Sequence, residues 1–244
     1  MPGTAAKFTN TPTPGTNMST DLALARLLQL ASPALPVGAY SYSQGLESAV
    51  DAGLVHDAAS AEIWIGEELA FTVARLEAPV WWRLHAAWSA NDLERVAHWN
   101  ELFRSTRESA ELRAETLQMG YSLQRLLLEI GEFDEASLAR LRGIGDITFP
   151  AAFAFAAARW EIPARSALIA YLWAWLENQV MAALKSVPLG QTDGQRLLLA
   201  LAALLPGIAD SACALGEDDF CSYAPGFAIL CSRHETQYSR LFRS

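Results

Sequence analysis

The stretch Ser105–Ile130, with the sequence STRESAELRAETLQMGYSLQRLLLEI, decides the fold class of this chain. Apolar residues and one threonine recur in it at intervals of three and four, which places them on one face of an α-helix. This stripe consists of Leu112, Thr116, Met119, Leu123, Leu126 and Ile130. Ser105 and Glu108 have the spacing of a capping box, which satisfies the first free N–H groups of a helix. The stretch predicts a long amphipathic helix that begins near Ser105.

The same period continues on the C-terminal side. Pro150 and Pro163 stand where prolines are tolerated, in the first turn of a helix. After Pro163 comes a second long stripe, formed by Ile169, Leu172, Leu176, Val180 and Leu184. The residues Thr192–Gln195 have the spacing of another capping box and predict a helix through Leu197–Leu205. A last helix is expected over about residues 224–242.

Helical signals also run upstream of this region. Asp57 is placed to cap a helix, and Pro79 is expected to break or kink the pattern that follows. Sustained alternation with β-branched residues, the signal of a strand, is nearly absent. The prediction is an all-α fold, a single domain of about ten helices over residues 19–244. Residues 1–18 are rich in Thr, Pro, Gly and Asn and are predicted to be a disordered leader.

The composition excludes several classes of partner. The formal net charge is -9 and the only lysines are Lys7 and Lys185, whereas nucleic-acid binding needs clustered positive charge to neutralise phosphates. The purely apolar stretches fall short of the roughly 20 residues that span a bilayer. Three widely spaced cysteines, Cys213, Cys221 and Cys231, have no disulfide framework and indicate a reducing compartment. We expect a cytoplasmic protein that binds neither nucleic acid nor membrane.

Motifs of catalysis and of cofactor binding are missing from the sequence. The four histidines lie outside any zinc-protease pattern, and no serine-hydrolase motif is present. Cys231 and His234 have a helical spacing, but zinc sites require three or four such ligands. The loop Gly190–Gly194 resembles a phosphate-binding loop only faintly, because no lysine follows its second glycine. We expect no enzymatic activity, no cofactor and no metal site.

Two segments contain aromatic, apolar and charged side chains that an ordinary loop or chain end does not need. The first, Leu35–Glu47, places tyrosines among small polar residues in a loop restricted by proline. The second, Arg233–Ser244, combines aromatic, aliphatic and arginine side chains, which are typical of protein interfaces. Two alternatives stay open: the tyrosines of the first segment fold back on the core, and the apolar residues of the second are covered by this same domain. For a protein interface, the predicted partner-binding residues are Tyr40, Ser41, Tyr42, Gln44, Glu47, Arg233, His234, Glu235, Gln237, Tyr238, Arg240, Leu241, Phe242 and Arg243.

Four stretches taken together resemble the UreF family of urease accessory proteins. They are residues 27–47, Glu111–Arg113 with Gln118–Gly120, residues 175–196, and Arg233–Ser244. The resemblance extends from about Asp21 to the last residue. It departs at Gly145–Asp146, where the family pattern leads us to expect a Gly-His pair before the proline.

The resemblance implies an all-α, UreF-like helical bundle that forms a homodimer. UreF-like proteins bind the accessory protein UreD, called UreH in some organisms, largely through the C-terminal helix and tail, here about residues 224–244. The complex then recruits the GTPase UreG, which brings nickel, and docks on apo-urease. Tyr40 and Arg240 are expected to shape the surface that receives UreG. Removing the chain from Arg233 onward is expected to leave a folded domain that no longer assembles the complex.

Two functions remain open at this point. The first is a scaffold that holds protein partners and performs no chemistry. The second is a GTPase-activating protein whose Arg240 reaches into UreG as an arginine finger, a device that accelerates hydrolysis by about 10³ to 10⁵. Against the second, Arg240 also has an ordinary structural use as an ion-pair partner within the tail. GTP turnover by UreG with and without this protein distinguishes the two.

Overall fold

The computed structural model describes the chain from Met18 to Ser244, and the predicted leader lies almost wholly outside the described residues. Every regular element within this range is helical, as predicted, and no strand occurs in it. The helices are α1 (Met18–Ala31), α2 (Leu46–Asp51), α3 (Ala58–Glu68), α4 (Ala78–Ala90), α5 (Leu93–Ser105), α6 (Ala110–Glu129), α7 (Glu135–Arg142), α8 (Phe149–Arg159), α9 (Ala164–Ser186), α10 (Gln191–Ala202), α11 (Leu205–Ala214) and α12 (Pro225–His234). Short 3₁₀ turns occupy Ala39–Ser41 and Glu217–Asp219.

Helix α8 lies in the centre of the core. Its residues from Pro150 to Ala157 are all buried, because alanine leaves room for neighbouring helices on the faces that phenylalanine does not fill. Helices α4 and α6 pack against it most extensively. Trp88 on α4 donates its indole N–H to the carbonyl of Ala151 at 2.9 Å, which fixes the two helices together. One continuous hydrophobic core results.

The stripe predicted after Pro163 is buried on α9. Leu172, Leu176 and Val180 are inaccessible to solvent, and the residues at the two ends of the stripe are half-buried. Pro163 itself is the residue just before the helix rather than in its first turn. Helices α1, α10 and α11 pack against α9, which makes it the second centre of the domain.

Helix α6 confirms the predicted stripe but not its predicted start. The buried residues of the stripe are Leu112, Thr116, Met119 and Leu123. The hydroxyl of Ser109 caps the helix by accepting from the Leu112 N–H at 3.1 Å. Ser105 instead ends α5, where its hydroxyl donates to the carbonyl of Leu102. The capping box predicted at Ser105 is therefore wrong, because a second serine four residues later performs the same function.

The capping box predicted at Thr192–Gln195 is wrong by two residues. Helix α10 begins after Gly190, and the carboxylate of Asp193 reaches back to accept from the Gly190 N–H at 3.3 Å. Asp193 occupies the third helical position, where a carboxylate also opposes the positive end of the helix dipole. Thr192 therefore lies inside the first turn.

One segment, Gln191–Ala214, is long and apolar enough to cross a membrane by length and composition alone. The chain there forms two helices, α10 and α11, and Pro206 stands in the first turn of the second. About a third of the most apolar part of this segment is buried inside the protein.

Pro79 does not end the helical run in which it lies. A π-helical segment, Leu69–Glu77, joins α3 to α4, and Pro79 is the second residue of α4. Because proline has no N–H, the carbonyl of Arg75 lacks its ordinary helical donor. That carbonyl accepts from the Cys221 N–H at 3.3 Å. The irregular turn thereby ties the segment that leads into α12 to the core.

Candidate partner-binding surface

The loop between α1 and α2 presents one tyrosine outward and the next inward. Gly38 begins its 3₁₀ turn with a φ of 79°, in the left-handed region that glycine adopts without strain. The side chain of Tyr40 is 68% exposed, whereas that of Tyr42 is buried. Asn178 on α9 donates to the carbonyl of Tyr42 at 3.1 Å. This bond fixes the loop to the domain at the point where it turns inward.

Residues 235–244, which we call the strap, fold back across the domain. The predicted continuation of the last helix to Phe242 is wrong, because α12 ends at His234. The backbone N–H groups of Leu241 and Phe242 donate to the two carboxylate oxygens of Glu47, at 2.6 and 2.9 Å. A side chain thus accepts the hydrogen bonds that helical carbonyls would otherwise take. The strap consequently follows an irregular path.

His234 joins the start of the strap to two other helices. It is fully buried, with Nδ1 2.6 Å from a Glu111 oxygen on α6 and Nε2 3.1 Å from a Glu47 oxygen on α2. Each ring nitrogen thus lies within hydrogen-bonding distance of a carboxylate oxygen. Arg240 donates to the other oxygen of Glu111 at 2.6 Å. Two glutamates therefore hold the strap at its start and near its end.

The last residues of the strap bind the loop directly. The Arg243 N–H donates to the carbonyl of Ser41 at 2.8 Å. The carboxyl oxygen of Ser244 accepts from the backbone N–H of Ser43 at 2.7 Å and from the hydroxyl of the same residue at 2.6 Å. The two segments predicted separately as partner-binding regions are therefore one continuous surface.

Lys185 on α9 lies where the loop and the strap meet. Its ammonium is 6.0 Å from the ring centroid of Tyr40 and 5.4 Å from that of Phe242. At these distances a cation and an aromatic face attract each other. The ammonium also reaches the carbonyl of Tyr40 at 3.4 Å. Although its segment carries the family resemblance, no local pattern had indicated Lys185 as a site residue.

The predicted site residues divide into two groups by exposure. The outward-facing residues are Tyr40, Arg233, Glu235, Tyr238, Arg240, Leu241 and Arg243. The buried or half-buried residues are Ser41, Tyr42, Gln44, Glu47, His234, Gln237 and Phe242. The second group packs the loop and the strap together and leaves the first group as the accessible surface.

Helix α6 supplies two residues to this arrangement that no sequence pattern had assigned to the site. Glu111 and Glu115 lie one helical turn apart, beside the apolar stripe. Glu115 is 5% exposed and accepts from the Gln44 side chain at 2.6 Å and from the Ser244 hydroxyl at 2.7 Å. The sequence did contain a signal for these two residues. Glu111 and Glu115 directly precede Leu112 and Thr116, so each carboxylate lies at the edge of the predicted buried face.

A cavity of about 180 Å³ lies beneath the loop, between it and α9. Its walls are largely apolar, and its polar lining includes Gln44, Glu77, Arg107 and Glu115. Glu77 forms an ion pair with Arg107 at 3.3 Å and accepts from the hydroxyl of Tyr171. Burial and the adjacent Glu77 raise the pKa of Tyr171, so this hydroxyl stays protonated as a donor.

The surroundings of Cys231 and His234 disfavour a metal ion. The imidazole is bonded to two carboxylates, and burial raises the pKa of the Cys231 thiol, which disfavours the thiolate that metals bind. Within residues 18–244, no group of three or more His, Cys, Asp and Glu side chains is arranged to hold a metal ion. The surface offers hydrogen bonds, apolar contacts and arginines, which suit a protein partner.

Comparison with known proteins supplies the family. The sequence profile of the UreF family matches residues 55–202. A urease accessory protein UreF from Azoarcus sp. (strain BH72) is 58% identical over 227 residues, which make up 91% of this chain and 96% of that protein. This chain belongs to the UreF family.

Other relatives agree with this assignment. A urease accessory protein UreF from Dechloromonas aromatica (strain RCB) is 52% identical over 228 residues. The match includes 93% of this chain and the whole of that protein. A bifunctional urease accessory protein UreEF from Bordetella bronchiseptica is 50% identical, and 52% of its length is matched. The chain is therefore a urease accessory protein of the UreF family.

Asp146, where the UreF pattern led us to expect histidine, lies in the turn between α7 and α8. Its φ of 44° is in the left-handed region, which aspartate tolerates better than most residues. Its carboxylate pairs with Arg104 at 3.1 Å, and its carbonyl accepts from Asn100 at 3.2 Å. The hydrogen bonds of Asp146 in the described part of the chain therefore stabilise a turn and do not involve the loop or the strap.

Proposed function

We propose that this UreF protein is a non-enzymatic scaffold in urease maturation. In this role it binds UreD (UreH) and recruits the GTPase UreG to apo-urease, where nickel is inserted. The accessory role itself follows from membership of the family. We further propose that the protein acts in the cytoplasm as a homodimer.

The observation that carries the proposal is the continuous surface formed by the loop and the strap. Tyr40, Tyr238 and Leu241 expose large apolar side chains on it, while the nearby Tyr42 and Phe242 are buried and Gln237 is half-buried. Arg243 is also exposed on this surface, and Arg233 is exposed on α12 just before the strap. Aromatic and arginine side chains held on a fixed backbone are favoured in protein interfaces, because little conformational entropy is lost on binding.

The proposal is tested by changing only outward-facing side chains of the strap. Tyr238→Ala with Leu241→Ala should leave the melting temperature almost unchanged and weaken co-purification with UreD or UreG. A partner that buries both side chains gains roughly 1.5 to 3 kcal/mol from each. The affinity should therefore fall by about a hundredfold or more, at about 1.4 kcal/mol for each factor of ten.

The matched control is Leu199→Ala, which removes a leucine that is even more exposed on α10. It should bind both partners like the wild type. If the double variant keeps full affinity for UreD and for UreG, the strap is not the interface and the proposal fails.

The truncation before Arg233, which was expected to leave a folded domain, is not a clean test of this surface. It would remove the buried His234 and leave Glu47 and Glu111 without their donors. A partly buried carboxylate that loses its hydrogen bonds costs free energy of folding. Loss of binding by the truncated chain would therefore not separate an interface from a folding defect.

The GTPase-activating alternative is not favoured by the position of Arg240. Its guanidinium donates to Glu111 at 2.6 Å, and the side chain is 40% exposed. An arginine finger has to leave such a contact and extend into the partner's nucleotide site. We expect GTP turnover by UreG to change by less than about tenfold when this protein is added, far below the 10³ to 10⁵ typical of an arginine finger.

A further inference from the structure

Gln44 holds a backbone conformation in the loop that its residue type does not favour. Its φ is 50°, in the left-handed region, and Gly45 follows with a φ of 79°. Asn91 and Asp146 also have a positive φ, but asparagine and aspartate adopt this region more readily than glutamine does. A glycine at position 44 would avoid the backbone strain. The stabilisation that offsets the strain therefore comes from the glutamine side chain.

The side-chain amide of Gln44 is bonded on both sides to buried residues. Its oxygen accepts from the indole N–H of Trp175 at 2.7 Å and from Gln179 at 3.3 Å, both on α9. Because an indole can only donate, this contact fixes the orientation of the amide. The NH₂ group then faces α6, where it donates to Oε1 of Glu115 at 2.6 Å. Trp175, Gln179 and Glu115 are all buried, so one amide ties the loop to the two long helices.

The backbone of the same residue joins the strap. The N–H groups of Ser43 and Gln44 donate to the carbonyl of Ser244, at 2.7 and 3.1 Å. The hydroxyl of Ser244 donates to Oε2 of Glu115 at 2.7 Å, and the other oxygen of that carboxylate accepts from Gln44. The hydrogen bonds thus form a closed ring that passes through the loop, α6 and the strap. Gln44 takes part in this ring with both its backbone and its side chain.

We propose that Gln44 is a positioning residue of the partner-binding surface. Its side chain holds the junction of loop and strap against α6 and α9, and this fixes the backbone that presents Tyr40. Gln44 acts through these neighbours and not by touching a partner, because buried groups already engage its amide on both sides. A surface fixed in advance loses less conformational entropy on binding. This inference rests on the proposed function, in which the loop and the strap receive the partners.

Exchanging the donor and the acceptor tests the role of the side chain. Gln44→Glu puts a carboxylate oxygen where the NH₂ group was, so that two acceptors face each other and their negative charges repel. Adding Glu115→Gln supplies an NH₂ group to the new carboxylate, while its amide oxygen accepts from the hydroxyl of Ser244. Glu115→Gln alone keeps an acceptor for Gln44 and donates to Ser244. The double variant should therefore recover what Gln44→Glu loses.

Hydrogen–deuterium exchange of the full chain measures the junction without any partner protein. The readout is the protection of the Ser43 and Arg243 amides, whose bonds cross between the loop and the strap. In Gln44→Glu it should fall by at least about tenfold, since a hydrogen bond to a charged group is lost. Glu115→Gln and the double variant should stay within about threefold of the wild type. Gln118→Glu, the same change at an exposed position on α6, should keep the wild-type protection.

The buried amides of α8 report on global unfolding and should stay protected in Gln44→Glu. An equal loss of protection in α8 and at the junction would assign Gln44 to overall stability and overturn the proposal. Wild-type protection of the junction in Gln44→Glu, or no recovery in the double variant, would also overturn it. Co-purification of the same variants with UreD and UreG tests the proposed function separately. A junction that loosens and recovers without any change in recruitment would contradict that function, and not the anchoring by Gln44.

Discussion

Glu47 accepts more hydrogen bonds from the C-terminal region than any other described side chain of the loop or α2. Its two oxygens accept from the N–H groups of Leu241 and Phe242 and from the ring of His234. His234 is fully buried, and a buried donor that loses its acceptor costs about 1 to 3 kcal/mol; the two backbone donors, which are more exposed, add less. One glutamate near the N-terminal end of the domain therefore determines the conformation of residues at the other end of the sequence.

Glu47→Ala should lower the free energy of unfolding by roughly 2 to 4 kcal/mol, because three donors lose one shared acceptor. It should also abolish the exchange protection of Leu241 and Phe242 under native conditions. Urea denaturation and hydrogen exchange measure the two effects. Glu62→Ala, an exposed change on α3, should do neither. A strap that stays protected in Glu47→Ala would show that other contacts are sufficient to hold it.

Helix α6 and the turn just before α8 approach so closely at Gly120 that no side chain fits between them. A Cβ atom at this position would lie 2.1 Å from the carbonyl oxygen of Ile147 and 2.6 Å from the carbonyl carbon of Thr148. Both neighbours are backbone atoms, so they can give way only if α8 shifts. The carbonyl of Ile147 belongs to the turn that precedes this central helix.

Gly120→Ala should therefore lower the free energy of unfolding by at least about 2 kcal/mol, at the upper end of the usual cost of overpacking. Gly207→Ala is the matched control, because Gly207 lies in α11 with no atom within 4 Å of the added methyl group. It should be neutral or stabilising by up to about 1 kcal/mol, since alanine favours the helix more than glycine. Thermal or urea unfolding of both variants measures these changes in the free energy of unfolding. Equal stability of the two variants would contradict this account of the crossing.

The existence of the helices could be predicted from the sequence more reliably than their ends. The stripes on α6 and α9 are buried because a three-to-four period is enough to define a helical face. The start of α6 was misplaced because Ser105 and Ser109 are both suitable caps, and only the packing of α5 selects between them. The end of α12 could not be predicted from the local sequence. Glu111 bonds to His234, the last residue of the helix, and Glu47 accepts from the Leu241 N–H beyond it, and both glutamates are distant in the chain.

At the scale of the molecule, the loop and the strap were each predicted as partner-binding segments. That the two segments contact each other and form one surface was not predicted. Their contact passes through Glu111 and Glu115 on α6, and no local pattern in either segment indicates those residues. Phe242, one of the predicted partner-binding residues, is buried inside its own domain. The sequence left open whether this domain or a partner covers it, and the irregular path of the strap turns the ring inward.

Tyr40→Ala tests this surface on the side of the loop. The ring is exposed, so the melting temperature should change by less than about 2 °C, while UreG recruitment by the complex with UreD should weaken by about tenfold or more. Tyr121→Ala removes a similarly exposed tyrosine from α6 and should leave recruitment unchanged. Co-purification and thermal melts of both variants provide the measurement. A large loss of stability in Tyr40→Ala would instead mean that this tyrosine supports the core.

The union of loop and strap also sets the order of events during synthesis. Glu47 and Leu241 are 194 positions apart in the chain, and Ser43 and Ser244 are 201 apart. Contacts of such long range form late, after the helices between them have packed. On the ribosome, the loop (residues 32–45) and Glu47 emerge long before the strap and remain without their partners while the rest of the domain is translated. The surface is completed only when residues 235–244 have left the exit tunnel, so a nascent chain cannot present it prematurely.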